Sequence, residues 1–203
     1  FFPTKNLGAA GDAGAVTTKD PLLSKRMSEL AVHGMPRRYV HQFLGYNTRL
    51  DALQAAVLNV KLPKLSKWLD KRQEIANRYH ERLKGLPGLS LPEKAASSKM
   101  RHGWNQFVVR VTSSQILGRN SSKKIGKDHL ENEPELSRDW LKKSLQEKGI
   151  QTIIYYPIPI HLQPAYKGAG FDNSSLPLTE SICSQVLSLP IFPELSRQDQ
   201  DYV

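Results

Sequence analysis

Three stretches of this sequence place reactive or ligand-binding side chains together. The first is Pro3-Thr4-Lys5-Asn6-Leu7-Gly8, preceded by Phe1 and Phe2. A lysine between aromatics and a small-residue run is poorly placed for an ordinary solvated charge. An amine held at a binding cavity sheds its proton more readily and condenses with an aldehyde to a Schiff base. Taken alone, the segment favours the plainer reading, because most lysines are surface charges. The second stretch is Gly45-Tyr46-Asn47-Thr48-Arg49-Leu50-Asp51. Thr48 and Asp51 have capping-box spacing, which predicts a helix start with Asn47 just ahead of it. The free N–H groups and positive dipole end of such a start favour anions, so Asn47 and Arg49 are candidates to complete a phosphate or carboxylate pocket. That Asn47 only shapes a turn stands level with this on spacing. The third runs from Tyr155-Tyr156-Pro157 to His161-Leu162-Gln163-Pro164-Ala165-Tyr166. Its prolines impose an extended loop. Tyr156, His161 and Gln163 supply a stacking face and hydrogen-bonding groups of the kind that hold sugars or nucleotides. A lone loop histidine is more often simply solvated or satisfied in a core.

Other chemistries leave no trace. There is no Cys/His cluster with metal spacing, no Gly-x-Ser-x-Gly and no phosphate-loop signature. The one cysteine, Cys183, cannot form an intrachain disulfide, and it reads as a small core residue in a reducing compartment, with the cytoplasm as the default. The net charge of +10 comes from Lys and Arg interleaved with Asp and Glu. The densest basic pieces, Arg37-Arg38 and Lys123-Lys124, are short, so a solvated surface explains most of the charge better than a nucleic-acid groove. No apolar run approaches the ~20 residues of a membrane span.

The elements that position these stretches follow from periodicity. Residues 13–18 read as a short strand. Asp20-Pro21 opens a helix in which Leu22, Leu23, Met27, Leu30 and Ala31 recur, closed by Gly34. The next helix carries Leu50, Leu53, Ala56, Val57 and Val60 on one face and is kinked or broken at Pro63. Its period resumes from Leu65 through Leu83 and ends at Gly85. Residues 107–111 alternate as a strand. Residues 113–138 are polar and poor in large apolar side chains, as in a mobile loop or insertion. Trp140, Leu141 and Leu145 predict a short helix ended by Gly149. Residues 153–156 predict a strand, 157–177 no regular element, and 179–189 a helix with Ile182, Cys183, Val186 and Leu187 inward.

The three stretches, with the terminal "LSLPIFPELSRQDQDYV", resemble in order and wording the DegT/DnrJ/EryC1/StrS family of sugar aminotransferases. The resemblance covers nearly the whole chain except 113–138. It implies an α/β fold of the type I, aspartate-aminotransferase-like class with pyridoxal phosphate as cofactor. Residues 1–62 would then be the remainder of the large cofactor domain and 63–203 the smaller C-terminal α+β domain. Lys5 falls on the family's Schiff-base lysine. Asn47 falls on an asparagine that reaches the cofactor phosphate of the neighbouring subunit, so a homodimer with shared sites is implied, and Arg49 stands beside it. The implied reaction moves an amino group, from glutamate as the expected donor, to a keto group of a nucleotide-diphosphate sugar, with 3-keto favoured slightly over 4-keto sugars. Arg37 or Arg38 is a candidate to hold the diphosphate, and Tyr156, His161 and Gln163 are candidates for the sugar.

The sequence departs from the family at Asp12-Ala13-Gly14, where two glycines are commoner, and at Pro63, inside a helix that is usually unbroken. The family's cofactor domain lies mostly ahead of the lysine. The chain therefore reads as a fragment that begins at the active-site strand, and the isolated fragment is expected to be inactive. Three other classes stand beside this reading: a sugar dehydratase using the same cofactor, a regulatory or binding protein of the family, and a basic nucleic-acid module. The dehydratases carry His in place of the lysine, and Lys5 argues against them. The aromatics fall mostly in core periodicity, which argues against the nucleic-acid module.

Overall fold

Asp20 and Pro21 start the first helix for the reasons their chemistry suggests. The Asp20 carboxylate accepts from the amides of Leu22 and Leu23 at 2.8 and 3.2 Å, and Pro21 takes the first helical position, where no N–H is needed. This helix, α1 (Pro21–Leu30), belongs to the first of two compact units, Phe1–Trp68 and Leu69–Val203. The computed structural model describes every residue except 95, 96, 98, 113–136 and 171–174.

After α1 the chain makes a loop closed at its neck. Val32 and Asn47 pair as an isolated antiparallel bridge. The Thr48 amide donates to the Ala31 carbonyl at 3.1 Å, and the His33 amide to the Tyr46 carbonyl at 2.9 Å. Gly34 has φ +64°, and a Cβ there would overlap the Phe43 carbonyl, so the neck requires glycine. Helix α2 (Ala52–Lys61) follows, then a single 3-10 turn at Leu62–Lys64, then α3 (Leu65–Leu83). Pro63, which has no N–H to give, sits in the 3-10 turn, so the expected break is present.

Two expectations for this unit fail. Residues 13–18 form no strand, because no described neighbour supplies the ladder that a strand requires. Thr48 does not cap α2: its N-cap is Asp51, whose side chain makes no capping bond. Thr48 is instead held by its backbone at the loop neck, and Asn47 lies opposite Val32 rather than at a helix start. The apolar stripe of α2 faces outward, with Leu53 82% and Val60 66% exposed. The inward face is Gln54, Leu58 and Lys61, spaced four and three residues apart.

The second unit is built on an antiparallel sheet in the order β1 (Leu89–Ser90), β2 (Phe107–Val111), β3 (Val186–Leu189). Phe107 pairs with Leu189 and Val109 with Leu187, so these four side chains share a face. Ile75, Ala76 and Tyr79 of α3 join them in one core with Trp104 and Ile191. The Tyr79 hydroxyl donates to the Pro190 carbonyl at 2.9 Å. The buried Arg72 guanidinium donates to the Trp104 and Ile191 carbonyls, both at 2.9 Å. Partly buried Leu141 and Leu145 of α4 (Arg138–Glu147) pack against this core. The last elements are α5 (Pro177–Gln185), which leads directly into β3, and α6 (Arg197–Tyr202).

The expected helix over 179–189 therefore ends at Gln185, and Val186 to Leu189 join β2. A short apolar run reads equally as helix or strand by periodicity, and pairing decides it. Cys183 is partly exposed rather than in the core. Residues 153–156 form no strand either: only Ile153 bridges, to Ser188. The expected insertion at 113–138 lies outside the described residues except at its end, where Ser137 and Arg138 cap and begin α4.

Phe107 is fully buried, with ring centroids 4.9 Å from Tyr79 and 5.5 Å from Trp104. Phe107→Ala is expected to destabilise the second unit by about 3–5 kcal/mol through lost burial and the cavity left behind. Denaturant unfolding should show a lower midpoint with an unchanged slope. A shift worth less than about 1 kcal/mol would show that the sheet is not the core of this unit.

Candidate functional site

The segment carrying Lys5 is a closed loop. The Lys5 amide donates to the Phe2 carbonyl at 2.9 Å, and the Ala9 amide donates to the Phe1 carbonyl at 2.8 Å. Gly8 lies against Pro3 so closely that a Cβ would overlap the Pro3 carbonyl. The inward face of α2 holds the end of this loop. Gln54 Oε1 accepts from the Ala10 amide at 2.8 Å, and the Lys61 ammonium donates to the Gly8 carbonyl. Leu58, between them on the helix, is buried.

Lys5 itself is exposed, contrary to the desolvated amine that its neighbours suggested. Its backbone is fixed while its side chain stays free, and among the described residues its amine has no hydrogen-bond or ion-pair partner. The amine lines an open cleft of about 940 Å³ together with Phe1, Phe2, Asp12, Met27 and Arg49. That volume lies at the upper end of the range for small-molecule and cofactor sites. Arg49 brings a permanent positive charge to the same cleft, and its guanidinium is also unpartnered among the described residues. The structure thus joins two of the residues singled out from sequence, Lys5 and Arg49, in one cavity. Asn47 is exposed but is not part of the lining. Neither are Arg37 and Arg38, whose segment forms its own turn through the Arg37–Val40 bridge. Arg38 is engaged locally, donating to the Tyr39 hydroxyl at 3.0 Å.

In the second unit, Tyr156, His161 and Gln163 lie on one loop with single 3-10 turns at Ile160–Leu162 and Pro164–Tyr166. Tyr156 is 63% exposed, its ring edge-on to Tyr155 at 5.3 Å. His161 is nearly covered, and its Nε2 pairs with Glu180 Oε1 at 3.0 Å. The same oxygen accepts from the Leu176 amide at 2.9 Å. The Leu176 amide first, and His161 second, hold the Glu180 carboxyl below its ordinary pKa. Gln163 Nε2 makes one long contact, 3.5 Å, to the Ile158 carbonyl. Tyr156 and Gln163 therefore keep capacity for a ligand, while His161 is engaged with α5.

Sequence reasoning missed Gln54, Lys61 and Glu180. Gln54 and Lys61, seven residues apart on one helical face, were a readable signal, but the more apolar opposite face masked it. Nothing in sequence linked Glu180 to His161.

Among the described residues, no group of His, Cys, Asp or Glu could hold a metal ion, and no helix is long and apolar enough to cross a membrane. The chain belongs to the DegT/DnrJ/EryC1/StrS aminotransferase family, which it matches over residues 1–203. It is 43% identical over 203 residues to the erythromycin biosynthesis sensory transduction protein EryC1 of Saccharopolyspora erythraea, covering 100% of this chain and 48% of that protein. It is 40% identical over 197 residues to the dTDP-3-amino-3,4,6-trideoxy-alpha-D-glucose transaminase of Streptomyces venezuelae, covering 97% of this chain and 45% of that one. Among solved structures, S. venezuelae DesV in complex with a ketimine intermediate superposes with a TM-score of 0.81 at 40% identity, over 98% of this chain and 47% of that one. NtdA of Bacillus subtilis, with its bound cofactor PMP, gives 0.78 at 28% identity over 98% and 42%. The chain has the mixed helix-and-sheet fold of these sugar aminotransferases, and it spans about half the length of the relatives it matches.

Proposed function

We propose that this chain is the lysine-bearing part of a pyridoxal-phosphate-dependent aminotransferase. The enzyme moves an amino group from an amino acid, glutamate being the expected donor, to a keto group of a nucleotide-diphosphate sugar. The observation that carries the reading is the Lys5 amine, unpartnered among the described residues, in a cleft it shares with Arg49. An aldehyde cofactor with a phosphate arm needs an amine to condense with and a cation to offset its charge, and this lining fits both needs. Bound there, pyridoxal phosphate supplies the electron sink that stabilises negative charge at the carbon next to the amino group. Lys5 Nζ would hold the cofactor covalently through its aldehyde, and the same amine would serve as the general base and acid at the donor's α-carbon. Arg49 binds the phosphate or the donor's carboxylate. Tyr156 and Gln163 bind the sugar, and His161, braced by Glu180, shapes their loop. The 3-amino sugar in the S. venezuelae relative's name supports a 3-keto substrate.

Residues 1–62 act as part of the cofactor domain and 63–203 as the small domain. The protein works in the cytoplasm as a homodimer with shared sites. The outward apolar stripe of α2, Leu53, Ala56 and Val60, supports this, since exposed apolar helix faces mark contact surfaces.

The test is trapping. A polypeptide of the relatives' length that carries this chain is loaded with pyridoxal phosphate, reduced with borohydride and peptide-mapped. The pyridoxyl group is expected on Lys5, and a label on another lysine overturns the reading. The S. erythraea relative's name favours a second reading, a sensory or regulatory protein. That reading gains if Lys5 is labelled but no keto-sugar is aminated.

A further inference from the structure

We infer that Gln54 and Lys61 are positioning residues for Lys5, clamping the loop backbone at Ala10 and Gly8 and so setting where the Lys5 amine enters the cleft. The inference rests on the reading of Lys5 as the Schiff-base lysine. Lysine carries its amine on a flexible four-carbon stem, and among the described residues the Lys5 amine has no partner. Its side chain therefore fixes nothing, and placement must come from the backbone. The loop is closed on itself by the Lys5–Phe2 and Ala9–Phe1 bonds and by the Gly8–Pro3 contact. Closure gives the loop a shape but not a location.

Location comes from α2, a rigid element. Gln54 takes up the Ala10 N–H, and Lys61 takes up the Gly8 carbonyl two residues earlier. The two side chains lie seven residues apart, one above the other, with buried Leu58 between them. Two anchors on one rigid helix suppress both sliding and rotation of the loop, where one would leave a pivot. Glutamine suits its place because its oxygen accepts the amide proton without adding charge. Close to it, a Cβ on Gly11 would come within 3.0 Å of Gln54 Nε2, so glycine lets the helix side chain reach the backbone. Neither Gln54 nor Lys61 lines the cleft, so both act through Lys5. The consequence for chemistry is large because reacting atoms must meet within a fraction of an ångström.

The test uses a polypeptide of the relatives' length that carries this chain, freed of cofactor to follow Schiff-base formation and reloaded with it for turnover. Gln54→Leu removes the acceptor and Lys61→Met the donor. Each is expected to slow Schiff-base formation on Lys5, read as the rise of the visible band after mixing with pyridoxal phosphate, by about tenfold. Each is also expected to shift the pH at which that band titrates and to lower kcat while KM for the keto-sugar stays put. Gln54→Glu keeps an acceptor oxygen and Lys61→Arg keeps a donor, so both are expected to restore the wild-type rate. Thermal midpoints are measured alongside. Lys61→Met, at the last residue of the helix, decides the matter even if Gln54→Leu does not fold.

If the wild type carries the borohydride label elsewhere than on Lys5, the reading of Lys5 fails and the inference with it. If Lys5 is labelled but Lys61→Met forms the Schiff base at the wild-type rate with the wild-type pH profile, the inference is overturned and the reading of Lys5 stands. It is overturned equally if the losses only follow a fall in thermal midpoint and Lys61→Arg does not recover them.

Discussion

Lys5→Ala is expected to lower amino-group transfer by about 10²- to 10⁴-fold, the range that a positioned general acid–base group contributes. In the proposed reaction the lysine has two tasks, holding the cofactor and moving a proton, and alanine removes both. Binding of the keto-sugar is untouched, because its proposed contacts, Tyr156 and Gln163, lie on another loop. The loss should therefore fall on kcat, with KM for the sugar nearly unchanged. Lys5→Arg is expected to be no better than alanine. A guanidinium stays protonated at working pH and neither forms the Schiff base nor accepts the proton. A small primary amine added to Lys5→Ala should restore part of the rate, because the open cleft admits it. A Lys5→Ala variant that turns over within about tenfold of wild type would remove Lys5 from the mechanism. Full activity in Lys5→Arg would do the same.

The parts of the fold readable in sequence were those set by local chemistry. Asp20 and Pro21 specify a helix start in any context, Pro63 removes an N–H wherever it stands, and the Phe107–Val111 alternation needs only one buried face. The parts that were not readable depend on partners distant in the chain. Val186 to Leu189 are a strand because Phe107 to Arg110 pair with them, and no local pattern carries that information. Thr48 and Asp51 had the spacing of a capping box, but Thr48 is held by the Ala31 carbonyl seventeen positions earlier, and the helix starts after Asp51. The direction of the α2 stripe was not readable for a related reason. Apolar residues point inward only when the surface they cover lies in the same unit, and here the polar pair Gln54 and Lys61 had loop backbone to satisfy. For the candidate site, Lys5 and Arg49 are legible from residue type and context, and they share a cleft. Lys5 stays exposed beside its aromatic neighbours because Phe1 and Phe2 line the cleft with it rather than covering it.

Asn47 is where the two kinds of argument separate, and a mixing experiment decides between them. The expectation that it sits at a capped helix start is gone, since its backbone pairs with Val32 at the loop neck. What remains is the family resemblance, in which this asparagine serves the cofactor phosphate of the other subunit. The structure is compatible with such an outward role: Asn47 is exposed, outside the Lys5 cleft, and its amide has no partner among the described residues. Asn47→Ala is then expected to weaken cofactor binding about ten- to hundredfold, the worth of one hydrogen bond to a charged group at roughly 1.5–3 kcal/mol. At limiting cofactor, Asn47→Ala and Lys5→Ala homodimers should both be nearly inactive. A hybrid of the two has one site with both changes and one site with neither, if the site's lysine and asparagine come from different subunits. Random exchange makes about half of all dimers hybrid, each with one intact site, so mixing should restore about a quarter of wild-type activity. Were Asn47 to serve the site of its own subunit, each hybrid site would carry one change and activity would stay at the level of the separate variants. Verified hybrid dimers that remain inactive would therefore end the cross-subunit assignment while leaving that of Lys5 intact.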